Sequence, residues 1–147
     1  MKLLFVLLAA LSVQASWYYN EDGGFGIYRP EGWSVQHNGR SSVLHGPVTD
    51  KAQSEIFLGS DWVSRVDSVE ALEKYVVGEA KDQHPRAVEI SGLPGFRAGT
   101  AAKGAIYLLR IKENVIVIQY RLRGSPDQIA EGKTMLSSVE IRTKPSP

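Results

Sequence analysis

The stretch that most constrains the fold is Gly104 to Arg123, GAIYLLRIKENVIVIQYRLR. Its β-branched and aromatic density is high, and its one break is the polar pair Glu113-Asn114, so it reads as two strands folded into a hairpin. With the turn at that pair, Ile111 lies opposite Ile116, Leu109 opposite Ile118 and Tyr107 opposite Tyr120. Those six residues make one apolar face. Arg110, Lys112, Gln119 and Arg121 then share the other face with Ile106, Leu108, Val115 and Val117. A three-residue loop would scramble this arrangement, because a shift of one residue exchanges the two faces of a strand.

The chain has 147 residues, the length of one domain. Its opening, MKLLFVLLAALSVQA, has the build of a secretory signal: Lys2 as the charged region, Leu3 to Leu11 as the apolar core and Val13-Gln14-Ala15 as the cleavage site. The apolar run is about half of the ~20 residues that a membrane-spanning helix needs. The expectation is therefore a signal peptide over 1–15, cleaved before Ser16, and a mature domain over 16–147 with no membrane span. The location follows as exported, periplasmic or secreted.

Removal of Lys2 leaves 16 basic and 16 acidic residues. A neutral domain lacks the basic footprint of a general nucleic-acid binder, so nucleic acid is not expected as a partner. The charge is unevenly spread: residues 16–96 carry 7 Lys/Arg and 12 Asp/Glu, and residues 97–147 carry 9 and 4. Two oppositely charged halves of one sheet attract each other. There is no cysteine, so no disulfide, thiolate metal site or thiol nucleophile is available and the core alone must hold the fold.

Between the signal and the hairpin, turn chemistry divides the chain. Ser16–Asn20 is an aromatic strand, and Glu21-Asp22-Gly23-Gly24 a turn. In Phe25–Trp33, Phe25 and Ile27 alternate inward, Pro30 ends the ladder for want of an N–H, and Gly32 lets the chain reverse so that Trp33 plugs the core. Asn38-Gly39 marks a hairpin. Glu55–Val63 is a strand with Ile56, Leu58 and Trp62 on one side, and Gly59 marks a close approach. Asp67 with Glu70 reads as a capping box opening an amphipathic helix through Leu72 and Val76, ended by Pro85. Gly92-Leu93-Pro94-Gly95 reads as a turn with Pro94 and Gly95 central. Ser125-Pro126-Asp127-Gln128 opens a second helix, and Val139–Arg142 returns as an edge strand.

The pattern F-x-I-x-x-P-x-G-W carried by Phe25, Ile27, Pro30, Gly32 and Trp33 resembles the opening of PsbP-like domains, with Gly92-Leu93-Pro94-Gly95 as weaker support. As an order of elements the resemblance covers residues 17–142. It implies an α+β fold, a curved antiparallel sheet of six to seven strands flanked by helices, and it brings no catalytic set.

Chemistry is sparse. His37, His45 and His84 fit no metal-ligand spacing, although a hairpin at Asn38-Gly39 would let the first two approach each other. No G-x-S-x-G nucleophile turn is present, and the glycine-rich pieces lead into strands where a phosphate cradle leads into a helix. No metal and no cofactor is expected. The one functional surface that stands out is cationic and aliphatic: Arg110, Lys112, Arg121 and Arg123 among the hairpin's aliphatics, suited to an envelope or secreted protein partner. Trp17, Tyr18, Tyr28 and Trp62 form a second contact set. The expected function is that of a non-catalytic binding or assembly module. The alternatives are a small envelope hydrolase whose site is assembled only in the fold, and an inhibitor or immunity-type protein that inserts the Ser34–Ser42 segment.

Overall fold

A computed structural model describes residues 14–110 and 114–142. In chain order these form β1 (Ser16–Asn20), β2 (Phe25–Arg29), β3 (Ser34–Asn38), β4 (Ser41–His45), β5 (Glu55–Asp61), α1 (Val69–Ala80), β6 (Arg86–Ile90), β7 (Leu93–Gly99), β8 (Lys103–Arg110), β9 (Asn114–Arg121), α2 (Pro126–Ser137) and β10 (Glu140–Ile141). The fold is α+β and antiparallel throughout. A seven-stranded sheet runs β3-β4-β5-β9-β8-β7-β6, and a separate three-stranded sheet runs β1-β2-β10. The expectation of one sheet with six or seven strands is therefore corrected to ten strands in two sheets. The proposed signal segment falls outside the described residues except for Gln14 and Ala15, and Lys112 also falls outside them.

The β8–β9 hairpin lies at the centre of the large sheet, but its register differs from the expected one. Arg110 pairs with Asn114, Leu108 with Ile116, Ile106 with Ile118 and Gly104 with Tyr120. The connection is three residues, so the faces re-sort as an odd shift requires. Ile106, Leu108, Ile116, Ile118 and Tyr120 now share a face with Phe25, Ile27, Trp33, Leu44 and Met135 in one core. Tyr107, Val115 and Val117 share the other with Leu72 and Val76 of α1. Both faces are buried over Ala105–Leu108 and Val115–Ile118, which is why this part of the strands reads as near-continuous apolar runs with no clean polar side.

Local chemistry sets the ends of the elements. Ser68, not Asp67, caps α1: its hydroxyl accepts from the Ala71 N–H at 3.1 Å. The helix ends at Ala80 with Lys81 in the left-handed region, before Pro85. The second helix starts as its sequence predicts, with Ser125 as N-cap, Pro126 in the first turn and a reciprocal Gln128 bond. The β6–β7 turn is Ser91-Gly92, with φ of 54° and 78°, the two positive values a type I′ hairpin needs. Pro94 and Gly95 lie inside β7 instead. Gly95 is required there because a Cβ would collide with the Tyr107 carbonyl oxygen of the neighbouring strand. Trp62 falls past the end of β5 and is 64% exposed, so it does not share the face of Ile56 and Leu58.

Candidate interaction surface

The two faces of the large sheet are covered unequally. On one, the small sheet and α2 close the core around Phe25, Ile27, Met135 and Ile141. On the other, α1 packs over β7 and β8, where Tyr75 meets Tyr107 edge-on with ring centroids 6.1 Å apart. Beyond that helix the β4-β5-β9 half has no second layer among the described residues. Register aligns Val43, Phe57, Gln119, Ala105 and Ala98 as one row across it. Val43 and Phe57 are only half-buried, and Gln119 is exposed. The Phe57 ring lies along its own strand over Gly59, whose Cβ would sit 2.6 Å from the ring's Cζ. A side chain at position 59 would collide with that ring, so the contact accounts for the glycine there.

The adjacent row is charged: His45, Glu55, Arg121 and Lys103 follow one another across β4, β5, β9 and β8. Here the acidic and basic parts of the chain meet, with Glu55 directly opposite Arg121. The floor and the Glu55, Arg121 and Lys103 part of the rim, with Glu79 from the end of α1, line an open groove of about 640 Å³. Burial, with Tyr75 and then Glu79 and Asp61 adding to it, raises the Tyr107 phenol above its ordinary pKa, so the phenol stays neutral.

The residues of the expected cationic patch are separated. Arg121 is exposed on the groove rim, and Arg123 is exposed just past β9, where its backbone exchanges two hydrogen bonds with the Ser54 hydroxyl. Arg110 is a correction: it is 1% exposed and points to the opposite face. Its Nη1 donates to the Gly23 carbonyl at 2.8 Å, while Nε and Nη2 have no partner. Burial lowers its pKa, and the neighbouring Arg40 lowers it further. A turn at Glu113-Asn114 would set Arg110 on one face with Arg121; with Arg110 opposite Asn114 the two fall on opposite faces.

The histidines do not form one site. His37 stands opposite Ser42 and His45 opposite Ser34, at odd and even offsets that put the two rings on opposite faces of the hairpin. His37 joins a chain unseen in the sequence. Its Nδ1 is 2.8 Å from the Tyr18 hydroxyl, which lies 2.6 Å from Ser42 Oγ, and Asn20 Nδ2 donates to that same oxygen at 2.8 Å. Asp22 Oδ2 lies 3.5 Å from His37 Nε2. A carboxylate, an imidazole and a hydroxyl in series resemble a nucleophile relay, but Ser42 and Asn20 are fully buried. A hydroxyl with no access to substrate holds β1 against the β3–β4 hairpin; it does not attack. No local signal could have revealed this, since the partners are 19 and 24 residues apart and meet only through packing of the two sheets. Of the exposed aromatics expected, Trp17, Tyr28 and Trp62 are exposed and Tyr18 is engaged in this chain.

Among the described residues no group of three His, Asp or Glu side chains is placed to hold a metal ion, and no helix is long and apolar enough to cross a membrane. No known protein family's profile matches the chain, and no curated protein matches it. Among solved structures, a crystal structure of a protein from Bacteroides thetaiotaomicron aligns with 84% of this chain at 11% identity and a TM-score of 0.47. The aligned region spans about half of that protein, 47% of its length.

Proposed function

We propose that the chain is exported and acts as a non-catalytic binding or assembly module, presenting the open half of its large sheet to another protein of the cell envelope. One observation carries this reading: the β4-β5-β9 half-face holds the half-buried Phe57 ring leaning over Gly59, with aliphatic and amide neighbours and a mixed-charge rim, and no element among the described residues packs over it. An apolar centre with a polar rim is the anatomy of a protein contact surface. A PsbP-like identity belongs to the same reading. Its support is that Phe25, Ile27 and Trp33 meet in one core and that the Trp33 N–H closes on the Pro30 carbonyl at 3.3 Å. The test is affinity capture from an envelope extract with the wild-type protein and with Arg121→Glu, each first checked for an unchanged melting transition. A partner held by the first and lost by the second supports the surface. Equal recovery rejects it.

A hydrolase is the second reading, and one observation favours it. Ser34, His45 and Glu55 are consecutive neighbours across β3, β4 and β5, and His45 Nδ1 lies 3.3 Å from Glu55 Oε1. That is the acid-to-imidazole half of a serine triad. The other half is missing: among the described residues His45 makes no hydrogen bond to the Ser34 hydroxyl, and Ser34 lies on an edge strand and not on a strand-to-helix turn. Labelling by a fluorophosphonate that disappears in Ser34→Ala would promote this reading above the first.

A further inference from the structure

On the face opposite the groove, a second cleft of about 650 Å³ opens between β6 and the C-terminal half of α2. We propose that it binds a linear monocarboxylate with an aliphatic tail, an anion of the fatty-acid type. Part of its wall is aliphatic, built from Val88 and Ile90 of β6, Ile106 of β8, and Leu136 and Val139 at the end of α2, and the rest is polar, with Ser91 and Ser137 beside them. Two cations, Arg97 and Lys133, stand in the same cleft. Apolar walls with a few placed charges are the usual make-up of a small-molecule site of this size.

Three features of the arginine point to an anion. Its Nε is buried without a hydrogen-bond partner, so the fold removes a charged donor from water and leaves it unused. Arg86 stands directly opposite Arg97 in the β6–β7 ladder, and like charges so placed repel. The Arg97 guanidinium also lies over the Tyr120 ring, 5.9 Å from its centroid, which holds the side chain down over the sheet and limits its freedom before any ligand arrives. A carboxylate in the cleft would lie beside the Arg97 guanidinium, which lines it, and offset the repulsion, and a guanidinium matches a carboxylate in shape as well as charge. Glu89 also borders the cleft, but it is exposed and alternates to the other face of β6 from Val88 and Ile90. The aliphatic walls select a tail: an inorganic anion would use the cations and leave those walls in water, while an alcohol or amine of equal length would fill them and leave Arg97 unpaired.

Calorimetry of the purified protein with decanoate, decanol and decylamine tests this without any envelope partner, so its outcome is independent of the proposed contact surface. Decanoate is expected to bind one-to-one more tightly than about 1 mM, with decanol and decylamine at least about tenfold weaker. Arg97→Gln should weaken decanoate by about tenfold. Lys133→Gln, at an exposed helix position that cannot threaten the fold, should weaken it by about threefold or more. No heat from decanoate, equal binding of decanol, or unchanged affinity in Lys133→Gln together with Arg97→Gln would overturn the proposal. Tighter binding of a hydrophobic peptide amide than of decanoate would overturn it as well.

Discussion

The indole Nε1 of Trp33 donates to Oε1 of Glu131 at 2.7 Å, joining residues 98 positions apart. The bond ties the reversal after β2 to the middle of α2. Trp33 itself is 2% exposed, so the ring seals the core while its one polar atom is satisfied by a carboxylate on the helix that covers it. Trp33→Phe keeps an aromatic plug and leaves Glu131 without its donor. The expected loss is about 1.5–3 kcal/mol, the range for a hydrogen bond to a charged group. Glu131→Gln, which keeps an acceptor, should lose less. Urea unfolding of the two variants checks the order.

Arg110→Met should leave stability unchanged or raise it. The guanidinium is buried beside a second arginine with two nitrogens unpartnered; even a buried ion pair is often replaced by apolar residues of similar volume at no cost or with a gain of about 1–4 kcal/mol, and an unpaired charge is costlier to bury than a paired one. The lost bond to the Gly23 carbonyl opposes this by about 1 kcal/mol. Arg110→Glu should unfold the protein. If Arg110→Met instead collapses the fold while Arg110→Lys does not, the positive charge is required where it is, and the burial argument is wrong.

Acid stability should depend on Asp82. Its carboxylate accepts the Gly99 and His84 backbone N–H groups, each at 2.9 Å. Those bonds, the Gly99 bond foremost, lower its pKa below the ordinary carboxylate value. A carboxylate depressed in the folded state contributes stability above its unfolded pKa of about 3.9 and loses it as the pH falls through the folded value. Asp82→Asn should therefore flatten the stability profile on the acid side of about pH 4 and change it little near neutrality relative to its own baseline. At the other end, burial raises the Tyr107 and Tyr120 phenols. Their contribution is complete below the unfolded value of about 10 and disappears as the pH rises toward the folded one. Denaturant midpoints across pH for the wild type and Asp82→Asn read both arms.

Asn20 should matter more than its surface-like sequence context suggests. It is fully buried; its Oδ1 accepts from the Gly23 N–H, and its Nδ2 donates toward Gly39, Ser41 and Ser42. Asn20→Ala leaves several of these groups unpaired and should cost about 2–3 kcal/mol. Tyr18→Phe removes one link of the same chain and should cost about 1 kcal/mol. Thermal melts that rank Tyr18→Phe above Asn20→Ala in damage would contradict this.

Local chemistry made much of the fold legible. Pro30 ended β2, Ser125 with Pro126 and Gln128 started α2, and Phe25, Ile27 and Trp33 went inward. Two kinds of information were missing. Register depends on loop length: one residue's difference at the β8–β9 connection moved Arg110 from the open face into the core. The same limit applies at the β6–β7 turn, where Pro94-Gly95 imitates a type II turn but Ser91-Gly92 supplies the positive φ values. The second kind is tertiary. Phe57, Gln119 and Arg121 become one surface only because β5 pairs with β9 across half the chain, and the Tyr18–His37–Ser42 contacts exist only where the small sheet meets the large one.

The contact surface can be interrogated most directly by placing a benzophenone amino acid at Gln119, in the centre of the open half-face, and at Thr134, on the exposed side of α2. Both proteins would be irradiated in the same envelope extract. The account predicts one adduct of defined mass at Gln119 and none at Thr134. No adduct at Gln119, or the same products from both positions, would contradict it.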